Sequence, residues 1–276
     1  MTLGAIIALA LLFVAVEMTV TFLAARRLNN YGIVDAVWSA GFSGLAILYY
    51  LTAPRLAVSS GPIRDEVLTT LAVLWSLRLG IHLAIRIWRH HPVEDVRYAR
   101  LRELWGERTP LRMWGFFQVQ GVLQAILSMP FLLVCLNVGT PKPSWAGLSP
   151  LEWTGAILWL MALGGESIAD LQLSRFRNNP ANRDRVCQDG LWHWSRHPNY
   201  FFEWLIWVAW AVFAWDSPLG CLSLICPILM WHFLVNVTGI PMTEELSVRS
   251  KGDAYREYQR TTSAFVPWFR KSPRTP

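Results

Sequence analysis

The stretch Ser195-Arg196-His197-Pro198-Asn199-Tyr200-Phe201-Phe202-Glu203 runs directly into Trp204-Leu205-Ile206-Trp207-Val208-Ala209-Trp210. Its left half is charged and polar, and its right half is apolar. Pro198 suits the first turn of a helix, where a missing N–H costs nothing. Asn199 and Glu203 then lie four apart on one helix face. The spacing therefore places an arginine, a histidine, an amide and a carboxylate at the polar mouth of a helix that enters a membrane. A helix N-terminus of this kind suits an anion.

The rest of the composition agrees with a membrane reading. The chain has 276 residues, is 53% hydrophobic and has a mean hydropathy of +0.30, more apolar than soluble domains usually are. Its 16 Trp are of the type that collects at bilayer interfaces. Seven apolar runs approach the ~20 residues a spanning helix needs: 3–25, 33–52, 66–88, 113–137, 151–171, 200–215 and 219–238. The sixth is short. The first reads as a true span rather than a cleaved leader. An all-α polytopic membrane protein of about seven helices follows, organised as one domain over 1–276.

The net charge of +6 is carried mostly by Arg. With the N-terminus outside and the C-terminus in the cytosol, the inner segments hold 20 Lys and Arg. The outer loops hold Arg55, Arg64 and Lys142. That bias matches the positive-inside rule and explains the charge better than nucleic-acid binding does. Cys135, Cys187, Cys221 and Cys226 form no CxxC pair, which argues against a disulfide framework or zinc site. The composition fits a multi-pass protein of a bacterial inner membrane or an endoplasmic-reticulum-type membrane.

Ionisable residues inside the spans require a reason. Glu17, Asp35 and His82 are candidates to donate a proton to a substrate in a polar cavity. Arg78, His82 and Arg86 share one face of the third span. The structural alternative is that Arg86 snorkels and Arg78 pairs with Asp35 or Glu17. Gln118, Gln120 and Gln124 read as interhelical hydrogen bonds. The charged run Glu94-Asp95-Val96-Arg97-Tyr98 lies beside a span end, where it would close a site or form a solvated face. Glu166, Asp170 and Arg177 follow one helix face out of the fifth span, carboxylates suiting ribose hydroxyls and arginine suiting phosphate. The competing reading is intrahelical ion pairing. After the seventh span, Glu244, Glu245 and the amphipathic segment to Thr262 form a lid or an interfacial helix.

Together these motifs resemble the steroid 5-alpha-reductase-like membrane proteins. The resemblance rests on Trp194-Ser195-Arg196-His197-Pro198-Asn199-Tyr200 with Glu203, on Gly239-Ile240-Pro241, and on the tail Glu257-Tyr258-Gln259-Arg260-Thr261-Thr262-Ser263-Ala264-Phe265-Val266-Pro267. Asn30-Tyr31-Gly32, Asp35-Ala36-Val37-Trp38, Leu77-Arg78-Leu79 and Glu94 to Tyr98 extend it towards the N-terminus, and it is most specific over 166–267. The resemblance implies an NADPH-dependent reductase of a carbon–carbon double bond of enone type in a lipophilic substrate drawn from the bilayer. It implies cofactor contacts from Glu166, Asp170, Arg177, Arg196, His197, Asn199, Glu203 and Tyr258. In that family an acid and a tyrosine hold the substrate carbonyl; here Asp35 or His82 takes the catalytic acid role. Two positions depart from the pattern: Phe202 stands where the motif has glycine, and Glu166 where the steroid enzymes have asparagine.

A second resemblance competes. Arg196-His197-Pro198-Asn199-Tyr200, with Glu244-Glu245-Leu246 and Tyr255 and Tyr258, is similar to the motifs of isoprenylcysteine and phospholipid methyltransferases. That resemblance implies S-adenosylmethionine as cosubstrate. A third alternative is a non-catalytic membrane lipid-binding module.

Overall fold

A computed structural model describes residues 1–53, 63–136, 145 and 147–272. The chain is an all-α polytopic membrane protein, 81% helical, with no strand among the described residues. Among the described residues six helical stretches are long and apolar enough to cross a bilayer: Leu3–Leu28, Ile33–Thr52, Ile63–His90, Val96–Leu136, Pro150–Asn178 and Gly220–Lys251. The chain divides into two compact units, Met1–Ser149 with Asp216–Gly220, and Pro150–Trp215 with Cys221–Pro276.

The first unit contains α1 (Leu3–Leu28), α2 (Ile33–Thr52), α3 (Ile63–His90), α4 (Val96–Trp105), α5 (Thr109–Leu127) and α6 (Met129–Leu136). Helix α1 starts on Thr2, whose hydroxyl accepts the Ala5 N–H, and stops on Asn29, held at φ 53°. That left-handed cap ends helices where asparagine or glycine is available. The unit is drawn together by small residues and interhelical hydrogen bonds, the usual means of packing helices in lipid. Gly80 of α3 faces Ala40 of α2, so closely that a Cβ there would stand 3.0 Å from the Ala40 Cβ. Ser76 donates to the Ser39 carbonyl at 2.6 Å. Gln118 of α5 donates to Thr19 of α1, and Gln124 of α5 donates to the Trp38 carbonyl of α2 at 2.6 Å. The stretch 113–137, read as one span, is broken between α5 and α6. Pro130 lacks the N–H that a continuous helix would need and disfavours helix in the residue before it.

The second unit contains α7 (Pro150–Asn178), α8 (Leu191–Trp194), α9 (Pro198–Ala214), α10 (Ile225–His232), α11 (Ile240–Lys251) and α12 (Asp253–Thr261). Helix α9 realises the stretch 200–215 but has only 17 residues, about 25 Å at 1.5 Å per residue. It is therefore not among the six helices long enough to cross. Most of its residues from Ile206 to Ala214 are buried. It packs along α7 at two glycines, Gly155 under Phe213 and Gly165 under Phe202. The stretch 219–238 is not one regular helix either. It begins in a 3₁₀ turn, passes through α10, and ends in a π turn over Phe233–Val237. Gly239 follows that turn so tightly that a Cβ would stand 2.3 Å from the Leu234 carbonyl oxygen.

Candidate functional site

The polar start of α9 is locked onto the C-terminal tail. Pro198 occupies the first helical turn and His197 precedes it as the cap residue. The Arg196 N–H donates to the Ser263 carbonyl at 2.8 Å. The Ser195 hydroxyl donates to the Phe265 carbonyl at 2.8 Å and accepts the His197 N–H at 3.1 Å. Tyr258 of α12 donates its hydroxyl to the carbonyls of Trp192 and Ser195. Burial pushes its phenol pKa up, which keeps it a donor.

Glu244 of α11 is the centre of this arrangement. One of its oxygens accepts from Arg196 Nε at 2.6 Å and lies 3.2 Å from His197 Nε2. The other accepts from Gln259 at 2.7 Å. Arg196 spends a further nitrogen on the carbonyls of Gln259 and Thr262. The His197 ring stacks on Tyr200, and the Tyr200 hydroxyl meets Thr243 at 3.2 Å. Burial lowers the His197 pKa below its usual range, more than its bond to Glu244 raises it. The imidazole is neutral at pH 7 and donates its Nε2–H to Glu244. Arg196, His197 and Tyr258, all candidates for cofactor contact, thus make their bonds to the chain itself and fix the mouth of α9.

The candidates on the facing helix come together differently. Asp170 of α7 accepts from the Asn199 amide of α9 at 3.3 Å. Glu166, one turn earlier on α7, is buried, while Arg177, beyond Asp170, is exposed. Glu203, one turn along α9 from Asn199, accepts from the Trp207 indole at 3.0 Å. Trp192 ties the α8 segment to α7 by donating to the Ala169 carbonyl at 3.0 Å. The result is a row of carboxyl and amide groups along the α7–α9 seam, with an arginine at its outer end. Carboxylates recognise hydroxyl and amide hydrogens, and arginine recognises phosphate. Of the two candidate arginines, Arg196 is bonded to Glu244 at the α9 mouth and Arg177 is exposed at the outer end of the row.

The remaining two candidates lie in the first unit. Asp35, near the start of α2, accepts from Arg97 at 2.5 Å and from the Tyr98 hydroxyl at 2.7 Å, both on α4. Arg97 is also held by Asp95, which caps α4. Burial alone would raise the Asp95 pKa, but its bonds to Arg97 bring it below the usual carboxylate range. Glu94 accepts the Tyr31 N–H at 2.6 Å and pairs with Arg102 at 2.8 Å, and Arg102 reaches Asn29 and covers the Tyr31 ring. The charged run 94–98 therefore clasps the α1–α2 link. His82 is half-buried on α3. Arg97 and Tyr98 stand out in the sequence only as members of the charged run 94–98, and no spacing links them to Asp35. The sequence likewise shows Glu244 and Arg196 without pairing them.

A family model described as "Protein of unknown function (DUF1295)" matches residues 21–262. The chain is 26% identical over 263 residues to the uncharacterized protein C594.04c of Schizosaccharomyces pombe, a match covering 87% of this chain and 73% of that one. No solved structure matches it.

Proposed function

We propose that this chain, which belongs to the DUF1295 family of proteins of unknown function, is a membrane-embedded NADPH-dependent reductase of an enone-type carbon–carbon double bond in a lipophilic substrate. The observation that carries the reading is the Asp170–Asn199 contact across the α7–α9 seam. It joins two candidates chosen for nucleotide chemistry on separate helices and puts them at the start of α9. NADPH, when bound, supplies the hydride. Asp170 and Glu166 hold ribose hydroxyls or the nicotinamide amide, Asn199 orients the same amide, and Arg177 holds phosphate. Arg196, His197 and Tyr258 keep the α9 mouth in place. In the first unit, Asp35 with the Tyr98 hydroxyl is an acid–tyrosine pair of the type the resemblance associates with a substrate carbonyl. A general acid must reach the atom that it protonates; His82 is the alternative donor.

One observation favours S-adenosylmethionine instead. The Arg196–Glu244 pair joins the Arg-His-Pro-x-Tyr and Glu-Glu-Leu motifs, the two elements on which the methyltransferase resemblance rests. Titrating NADPH, NADH and S-adenosylmethionine against thermal unfolding in detergent separates the readings. A ligand at 100 times its Kd adds about 2.7 kcal/mol of stability. Stabilisation by NADPH that disappears in Asn199→Ala and Asp170→Ala supports the reductase. Stabilisation by S-adenosylmethionine alone reverses the assignment, and no shift with any of the three favours a non-catalytic lipid-binding module.

A further inference from the structure

In the second unit, the C-terminal tail straps the start of α9 and carries a patch of exposed aromatic rings. Phe265 is the inner part of the strap. It is buried, and its ring packs edge-on against Phe201 and Trp204 of α9. The rings that follow are on the outside. Trp268 is 66% exposed and Phe269 71%. Phe269 lies edge-on to Trp194, with ring centroids 5.4 Å apart, and to Trp268 at 6.1 Å. The backbone beneath them is fixed. The Trp268 N–H donates to the Trp194 carbonyl and the Lys271 N–H to the Thr261 carbonyl, both at 2.9 Å, and the Arg270 guanidinium donates to Gln188 at 2.7 Å.

Hydrogen bonds set the height of this patch against the spanning helix α7. The Trp192 indole donates to the Ala169 carbonyl, and the Leu191 N–H donates to Gln172 Oε1, both at 3.0 Å. Helix α8, which ends at Trp194, therefore lies beside 169–172 of α7. That is where the apolar surface of α7 stops. Ile168 and Leu171 are exposed, and the next exposed side chain along the helix is Arg175. Four residues, about 6 Å, separate the last exposed apolar position from the first exposed charge. The patch of Trp194, Trp268 and Phe269 thus sits at the membrane–water boundary, where tryptophan collects because its ring is apolar and its N–H is polar. The charge agrees with this placement. From Thr261 to Pro276 the sequence holds Arg270, Lys271 and Arg274 and no acid, and Lys271 is exposed.

We propose that this patch docks on the head-group layer of an anionic bilayer. Trp194, Trp268 and Phe269 enter the layer, and Lys271 meets negatively charged lipid head groups, each basic residue near such a surface adding to the attraction. The strap that fixes the α9 mouth through Ser195 and Arg196 is then held to the bilayer as well. This inference stands apart from the reductase reading and holds for whatever reaction the second unit performs.

Site-specific photocrosslinking tests it in nanodiscs of phosphatidylcholine and phosphatidylglycerol in equal parts, with adducts identified by mass spectrometry. Phe269→p-benzoylphenylalanine probes the patch. Leu160→p-benzoylphenylalanine, at an exposed position midway along α7, reports ordinary lipid contact in the same discs. Both positions yield lipid adducts. The ratio of phosphatidylglycerol to phosphatidylcholine adducts is about fivefold higher at 269 than at 160, the scale of one basic residue beside an anionic surface. Lys271→Gln removes that excess. Trp268→p-benzoylphenylalanine serves if the variant at 269 does not fold. Lipid adducts at 160 with none at 269 or 268, cross-links between two copies of the chain in their place, an equal lipid ratio at the two positions, or an excess unchanged by Lys271→Gln would overturn the proposal.

Discussion

The ring of Phe202 lies on the bare backbone of Gly165, so close that a Cβ on Gly165 would stand 2.4 Å from the ring. Phe202 is the departure from the resembled motif, which has glycine at that position. Here the glycine is on the opposite helix, and the ring fills the space it leaves. The seam that carries Asp170 and Asn199 is set by this contact. Gly165→Ala forces the ring or helix α9 to move, at a cost of about 1–3 kcal/mol. Trimming the ring in Gly165→Ala/Phe202→Leu recovers part of that loss. Chemical denaturation of the two variants in detergent checks the coupling, and additive losses would show that the ring is not the obstacle.

The Arg196–Glu244 pair is buried, with side-chain exposures of 10% and 14%. Removing one partner leaves the other charge uncompensated, which costs about 3–5 kcal/mol in buried pairs. Glu244→Ala is therefore among the most destabilising single changes at the α9 mouth, and Arg196→Ala matches it. Were Arg196 instead a cofactor contact, Arg196→Ala would lower NADPH-induced stabilisation while leaving the ligand-free unfolding temperature near that of the parent.

His197 predicts a pH dependence. The groups around its ring are Glu244 on α11, Arg196 beside it in the chain and Tyr200 on its own helix. Its folded pKa lies below the ordinary 6.5, so the unfolded chain takes up the proton first as pH falls. Its contribution to stability is complete above pH 6.5 and is lost as pH drops from there through the folded value. The unfolding temperature falls from pH 7.5 to pH 5.5, and His197→Gln flattens that slope. An equal slope in the variant would assign the dependence to another group.

Helix content and the positions of the apolar runs were legible because hydropathy and length suffice for both. The break at Pro130 was also available, since proline before Phe131 interrupts an otherwise uniform run. The pairings were not. Arg97 meets Asp35 across 62 residues and Arg196 meets Glu244 across 48; no helical spacing connects them. The sequence showed that acids near membrane depth need partners, and Arg78 was the nearest arginine in pattern. Chain packing brings Arg97 to Asp35, from a run that equally resembled a solvated face. The same limit applied to Arg196, a candidate cofactor contact whose bonds to Glu244 and to the carbonyls of Gln259 and Thr262 follow from no helical spacing.

The Asp35–Arg97 contact yields a double-mutant test. If the two side chains act as one unit, Asp35→Asn and Arg97→Met are less costly together than their separate losses suggest. A coupling of about 0.5–3 kcal/mol is expected for residues in contact. A carbonyl-holding role for Asp35 adds a second readout: Tyr98→Phe lowers turnover of an enone substrate while NADPH binding is unchanged. A loss of NADPH binding in Tyr98→Phe would instead mark the pair as structural support.

Arg177 separates the two cosubstrate readings by a difference in ligand chemistry. NADPH and NADH carry phosphates; S-adenosylmethionine has none. Arg177 is exposed at the outer end of the α7–α9 seam, and the fold survives Arg177→Ala as it does most substitutions at exposed positions. A phosphate hydrogen bond from a charged donor contributes about 1.5–3 kcal/mol, which corresponds to roughly a tenfold to hundredfold weakening of NADPH. S-adenosylmethionine binding, where present, stays as in the parent. Asp170→Asn acts on the hydroxyl side and weakens NADPH and NADH together, because both carry ribose hydroxyls. Isothermal titration of the two variants with the three ligands reads both effects, and undiminished NADPH affinity in Arg177→Ala removes the phosphate role from this residue.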